Sequence, residues 1–262
     1  RAALLGIKRA VPSLSARPKI ALIRPDDAYG WSFAHGPLNY QDVDGYEIVA
    51  DEKLPHGSLD ASTVIRHAID AGAEVIGFMY TPGTGAVVMR DARRLGFKGQ
   101  LLAVHTSTID YSVGQLSEGA ATGAYFNTYS HLPEDKQPGM EPIFEMLKAY
   151  HPDLNPLRPS NPMNIWAMGP TAVEVLTQAA RAAINKVGFD NVDRRAMWEG
   201  MESLGNLDVF GIQTISYSPT DHNGCSWYSL YQYDGNRFNM VIDKAPPPDY
   251  ANWELQGNFK WK

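Results

Sequence analysis

The chain has 262 residues, with 29 acidic against 23 basic side chains and a formal net charge of −6. Hydrophobic residues make up 44% of it, and no stretch approaches the ~18 uninterrupted apolar residues of a membrane helix. Membrane-spanning, collagen-like, coiled-coil and disordered classes are excluded, and the acidic balance argues against nucleic acid, whose phosphates need clustered Lys and Arg.

A soluble globular protein of one large domain or two modest ones remains. The single cysteine, Cys225, can form neither an internal disulfide nor a cysteine-based zinc site, and is read as an inert thiol. The chain opens Arg1-Ala2-Ala3-Leu4 without Met, charged n-region or apolar h-region. Its beginning is therefore expected to have been removed or to lie outside this sequence, which says nothing about export.

From residue 18 to 128, strands and helices alternate. Residues 20–24 form a short apolar strand ending in Pro25-Asp26-Asp27, and a helix starts near Tyr29-Gly30, with Pro37 expected to limit or distort it. Residues 46–50 alternate as a second strand. Ser58 or Asp60 can cap a helix whose apolar positions Val64, Ile65, Ala68 and Ile69 follow a 3.6-residue period, with Gly72 ending it. Residues 74–80 read as a third strand buried on both faces, 83–95 as a helix stopped at Gly96, 101–104 as a fourth strand and 123–127 as a fifth. Strands separated by helices of this length imply right-handed βαβ crossovers and a mainly parallel sheet.

The texture changes after Ser130, where Pro133, Pro138, Pro142, Pro152, Pro156, Pro159 and Pro162 surround one short helix at 140–150. A stronger helix at 166–185 carries Pro170 near its first turn, and 191–204 forms another. Residues 209–217, 226–233 and 238–242 read as strands, with a turn at Asp234-Gly235. Pro246-Pro247-Pro248 opens an extended tail containing Trp253 and Trp261.

Ligands of open α/β sheets bind beyond the carboxyl ends of the strands. There the first strand delivers Asp26, Asp27 and Tyr29, the third Tyr80 and Thr81, and the fourth His105, Thr106 and Ser107. Two phenols and an imidazole suit a small organic ligand with one apolar face and a few polar atoms, although ordinary capping and loop residues give the same pattern. Gly83-Thr84-Gly85 follows a strand and opens a helix, but Val88 stands where a dinucleotide fingerprint needs its third glycine, and a plain tight turn is the preferred reading. Asp221-His222 beside Cys225 and Ser226 has no nucleophile elbow around it, and 218–224 reads as a turn. The seven histidines show no i,i+4 pair, so no zinc site is expected. The aromatic strand with Trp227, Tyr228, Tyr231 and Tyr233 reads as packed sheet.

Lys19-Ile20-Ala21-Leu22-Ile23 followed by Asp27-Ala28-Tyr29-Gly30 resembles the start of the second lobe in type I periplasmic solute-binding proteins, the branched-chain amino acid (Leu/Ile/Val) receptor family of ABC importers. The resemblance continues through 45–49, 74–80, Met89-Arg90-Asp91-Ala92-Arg93-Arg94-Leu95-Gly96 and Leu101-Leu102-Ala103-Val104. Asn164-Ile165-Trp166 resembles the family's return to its first lobe, and 214–233 its last crossing. The order and spacing of these pieces, over about residues 1–243, carry the likeness more than any single motif.

The resemblance implies an α/β fold of two parallel-sheet, Rossmann-like lobes closing on a ligand, with no chemistry, cofactor or metal of its own. The implied division is 1–129 as second lobe, 130–215 as returning first lobe, 216–245 as last crossing and second-lobe strands, and 246–262 as tail. The first lobe is expected to be incomplete, its opening strands and helices preceding Arg1. Tyr29, Tyr80, Thr81, His105, Thr106, Asn164 and Trp166 are the expected ligand-binding residues. His105 falls where amino-acid binders of the family place an acidic partner for the ligand ammonium, a role that imidazole cannot fill. The expected ligand is therefore an aromatic or apolar carboxylate, with a branched-chain or other amino acid as the alternative. The implied partner is an ABC transporter permease, and the implied setting a periplasmic monomer without nucleic acid or membrane insertion. Two other classes stand beside this one: an α/β enzyme using the same sheet edge, and the effector-binding domain of a transcription regulator. A signal peptide at the true start of the gene product would favour the receptor, and a helix-turn-helix the regulator.

Overall fold

In the computed structural model, which describes residues 1–158, 163–225 and 227–246, the first half of the chain alternates strands and helices. Helix α1 (Ala2–Ala10) precedes β1 (Lys19–Arg24), followed by α2 (Ala28–Asp44), β2 (Glu47–Lys53), α3 (Ser62–Asp70), β3 (Val75–Phe78) and α4 (Pro82–Arg94). Then come β4 (Gln100–Ala103), the single turn α5 (Val113–Leu116) and β5 (Tyr125–Thr128). The second half holds α6 (Glu141–Tyr150), a π-helical turn Met163–Met168 leading into α7 (Gly169–Val187), and α8 (Arg194–Glu202). Five strands close it: β6 (Gly205–Val209), β7 (Gln213–Ser218), β8 (Asp221–Cys225), β9 (Tyr228–Tyr233) and β10 (Phe238–Ala245).

The main sheet has seven strands in the order β10-β9-β5-β4-β3-β1-β2, parallel from β5 to β2 and antiparallel where β9 and β10 extend it. Period-two burial explains its two faces. Ile20, Leu22, Val75, Leu102 and Tyr125 turn to a layer with Leu4 and Ile7 of α1 and Phe33 and Ala34 of α2. Ala21, Ile23, Ile76, Phe78, Leu101 and Phe126 turn to α3 and α4, through Val64, Ile65, Ala68, Val88 and Ala92. That second core continues beyond the sheet into Leu132, Met140, Ile143 and Trp166, whereas Val175, Val209 and Ile215 form a small core at the separate three-stranded sheet β6-β7-β8.

Strand order reverses between β1 and β3: the chain goes outward to β2, then returns to the other side of β1. Such a switch point leaves a crevice beyond the strand ends, the general location of ligand sites in open α/β sheets. His131, just after β5, ties its segment to those around Gly211 and Asp243. Its buried ring lies 2.8 Å from the Gly211 carbonyl oxygen and 2.8 Å from an Asp243 carboxylate oxygen, while the His131 main-chain N–H donates to the Ile212 carbonyl.

Several local expectations are corrected. α2 runs through Pro37 to Asp44 despite the missing N–H, because Gly30, Phe33, Ala34 and Pro37 itself are buried against the sheet and outweigh one lost bond. The helix at Ala2–Ala10 was not expected; its Leu4 and Ile7 cover the sheet beside β9. The strand expected at 209–217 is a hairpin, β6 and β7, turned by left-handed Phe210 and Gly211 with Asp208 accepting the Gly211 N–H at 3.1 Å. Most of the expected turn at 218–224 is β8, since the chain reverses over Pro219 and Thr220 alone and pairs from Asp221 onward. The small sheet thus continues to Cys225, beyond the expected boundary at residue 216. Cys225 donates to the Trp227 carbonyl and burial pushes its thiol up, which suits an unreactive thiol. The tail with Trp253 and Trp261 lies outside the described residues.

Candidate functional site

The site is built at the β1/β3 switch point. β1 ends at Arg24, and Asp27 in extended conformation caps α2, its Oδ1 accepting the Gly30 N–H at 2.8 Å. Gly30 lets the helix begin against the strand end, since a Cβ there would stand 2.0 Å from the Pro25 carbonyl oxygen. Tyr29 is thereby fixed on the first helical turn. Its ring meets that of His105 edge-on at 5.0 Å and that of His56 at 5.7 Å. The Tyr29 hydroxyl is buried without a hydrogen-bond partner among the described residues. Burial pushes this phenol up, and Ser107 stands close enough to offset part of the shift without meeting hydrogen-bond geometry.

His105 follows β4. Its Nδ1 accepts the Ser107 N–H at 3.1 Å and bonds the Ser107 hydroxyl as well. A ring nitrogen that accepts a main-chain N–H carries no proton, so the neutral ring keeps its proton on Nε2 as a donor. Burial pushes the His105 pKa down, favouring this neutral form. Tyr80, after β3, is 0% exposed; its hydroxyl donates to the Leu54 carbonyl at 2.7 Å, its carbonyl accepts from Thr108, and burial raises its pKa. Edge-on to Tyr80 at 5.9 Å stands His56, whose Nε2 is 3.1 Å from Asp27 Oδ2.

Of the expected residues, the structure brings Tyr29, Tyr80 and His105 together. Thr81 is exposed at the start of α4, making no side-chain capping bond, and Thr106 is buried in the turn after His105. Asn164 lies in the π-helical turn, and its side chain is outside the described residues. That turn packs on Thr106–Thr108, but Trp166 is 0% exposed, stacked on Phe144 at 4.9 Å, with its Nε1 unpartnered among the described residues. His56 was missed. The signal that could have found it is the position of β2 beside β1, which returns the loop after β2 to the same edge.

The charges at this edge are committed. Arg24, buried, makes two 2.7 Å bonds to Asp51 and lies over the Trp31 ring at 4.6 Å. Asp27 is held below the usual carboxylate range by the Gly30 N–H, helped by His56. Gathered here are aromatic rings with two donors, the buried Tyr29 O–H and His105 Nε2–H, which match an acceptor such as a carboxylate or carbonyl oxygen. Among the described residues no group of three or more His, Cys, Asp or Glu could hold a metal ion. A surface depression of about 570 Å³ lies elsewhere, on α8 at Asp193, Arg194, Arg195 and Trp198.

These shifts set a pH dependence. A base whose folded pKa is lowered, such as His105, lets the unfolded chain take the proton first, so stability falls as pH drops below about 6.5. Carboxylates held low, such as Asp27, and Glu199 whose pKa is lowered to about 2, lose their contribution only as pH falls below about 4. Urea midpoints measured from pH 8 to 3 should therefore decline in two stages, and His105→Asn should flatten the upper one.

A family model described as periplasmic binding protein matches residues 7–237. A branched-chain amino acid ABC transporter protein from Thermus thermophilus with bound valine superposes with a TM-score of 0.78 at 20% identity, covering 94% of this chain and 65% of that one. An ABC transporter substrate-binding protein from Aeropyrum pernix gives 0.80 at 18% identity, covering 99% and 67%. A fatty acid ABC transporter substrate-binding protein from Thermomonospora curvata gives 0.74 at 15% identity, covering 98% and 62%. The chain thus spans less than two thirds of the Thermus and Thermomonospora proteins. No curated protein matches it. With more than half of its residues matched by the family model and a parallel-dominated α/β sheet in the order seen here, the chain belongs to the periplasmic binding protein family, with the fold of its type I members.

Proposed function

We propose that the protein is an extracytoplasmic receptor that delivers a small organic acid, aromatic or apolar, to the permease of an ABC importer. The observation that carries the acid reading is the unpartnered Tyr29 hydroxyl beside a His105 ring whose Nδ1 is already engaged. Tyr29 O–H and His105 Nε2–H are donors suited to an acid rather than to an ammonium, and the Asp27 carboxylate is occupied by the Gly30 N–H and His56. The family and the likeness to importer components support a periplasmic binding role rather than catalysis.

In this reading residues 1–129 and 228–245 form one lobe and 130–225, with the small sheet, part of another. Support comes from the seven-stranded sheet, which draws on 19–128 and 228–245 alone. Closure of the lobes about the crossings at His131 would follow from contacts that a ligand makes better in the closed state.

Thermal unfolding with a panel of solutes tests the ligand class. A solute at 100 times its Kd stabilises by about 2.7 kcal/mol, several degrees in Tm. Benzoate-like or apolar carboxylates should raise Tm by that amount, and leucine or valine should not. A shift with leucine and none with the acids would overturn the assignment.

A further inference from the structure

We infer that His56 touches the bound solute and reads a hydrogen-bond donor on it, so that the preferred solute is a carboxylate that also bears a hydroxyl or N–H. This rests on the acid-binding reading above and adds a residue from a strand that the expected site did not use. His56 is half-exposed, its side chain 47% accessible, yet it is not on a loose loop. On one side Leu54 donates its N–H to Arg24 O at 2.9 Å and accepts the Tyr80 hydroxyl. On the other, the Gly57 N–H donates to Thr84 Oγ1 at 3.0 Å, and Thr84 is buried in the first turn of α4. The loop is thus fastened to β1, β3 and α4 on both sides of the ring, which stands between Tyr29 and Tyr80.

The tautomer follows from Asp27. This carboxylate, ionised and positioned as the cap of α2, faces Nε2 at 3.1 Å, so the ring proton sits on Nε2. Nδ1 is then an acceptor, and it has no partner among the described residues. His105 has the opposite arrangement, with Nδ1 engaged and Nε2–H as donor. The two imidazoles flanking Tyr29 therefore present one acceptor and one donor, a pairing that a plain apolar acid fills only by half.

Titration calorimetry of the full chain at pH 8 with benzoate and its three ring-hydroxylated forms tests this. At least one hydroxybenzoate should bind roughly five- to tenfold tighter than benzoate, the value of one neutral hydrogen bond. His56→Phe keeps a ring and removes the nitrogens. It should bring that preference to within about twofold, whatever it does to the affinity for benzoate itself. Benzoate binding with no hydroxyl preference in the wild type overturns the inference alone, even if His56→Phe fails to fold. Equal loss of all four acids in the variant, or an unchanged preference, also overturns it. If none of the four binds the wild type, the acid reading falls and takes this inference with it.

Discussion

Gly30→Ala is expected to destabilise the fold by about 1–3 kcal/mol and to weaken solute binding by tenfold or more. The added Cβ would lie 2.0 Å from the Pro25 carbonyl oxygen and 2.9 Å from its carbon, and these backbone atoms cannot rotate aside. Either the first turn of α2 or the end of β1 must move, and both position Tyr29 against His105. Asp27 also caps this turn through the Gly30 N–H, so the shift would disturb its contact with His56. Gly83→Ala is the control. It lies in the first turn of α4, where a Cβ meets nothing within 4 Å, and should be neutral or slightly stabilising. Urea unfolding and titration of both variants check the pair.

Trp166→Ala should cost about 3–5 kcal/mol of stability, the usual range for emptying a large buried aromatic site. The resemblance to solute receptors implies a ligand contact for this residue, whereas its 0% exposure and its stacking on Phe144 describe a core position under the turn that follows His105. The two roles part experimentally. A core role lowers the urea midpoint strongly and leaves the folded fraction with near-native affinity. A ligand role lowers affinity with little change in midpoint.

The parts of the fold legible in the sequence are those where neighbouring residues decide the outcome. β1, β3 and β4 are short apolar runs whose alternate side chains fill two different cores, and a helix of adequate length follows β1 and β3. Where tertiary contact overrides local chemistry, reading fails. Pro37 looks like a stop until the buried face of α2 is seen, and β8, built from Asp221, His222 and Gly224, is a strand only because β7 lies beside it.

The site divides in the same way. Tyr80 and His105 are visible because each closely follows an apolar strand, and Tyr29 because it opens the helix after one. His56 is not, because β2 is half-buried along most of its length and Pro55-His56-Gly57 has the composition of any turn. Only the pairing of β2 with β1 brings that turn to the switch point. Nor does sequence show that Tyr80 spends its hydroxyl on Leu54, which makes it a support for the loop of His56.

The measurement closest to the central claim is a pair of calorimetric titrations of the full chain, one with benzoate and one with valine. The donors of Tyr29 and His105 at the β1/β3 edge predict saturable heat with benzoate and a much weaker response to valine. Tighter binding of valine than of benzoate would contradict the account, because the valine ammonium would need an anionic partner and Asp27 is already engaged by the Gly30 N–H and His56.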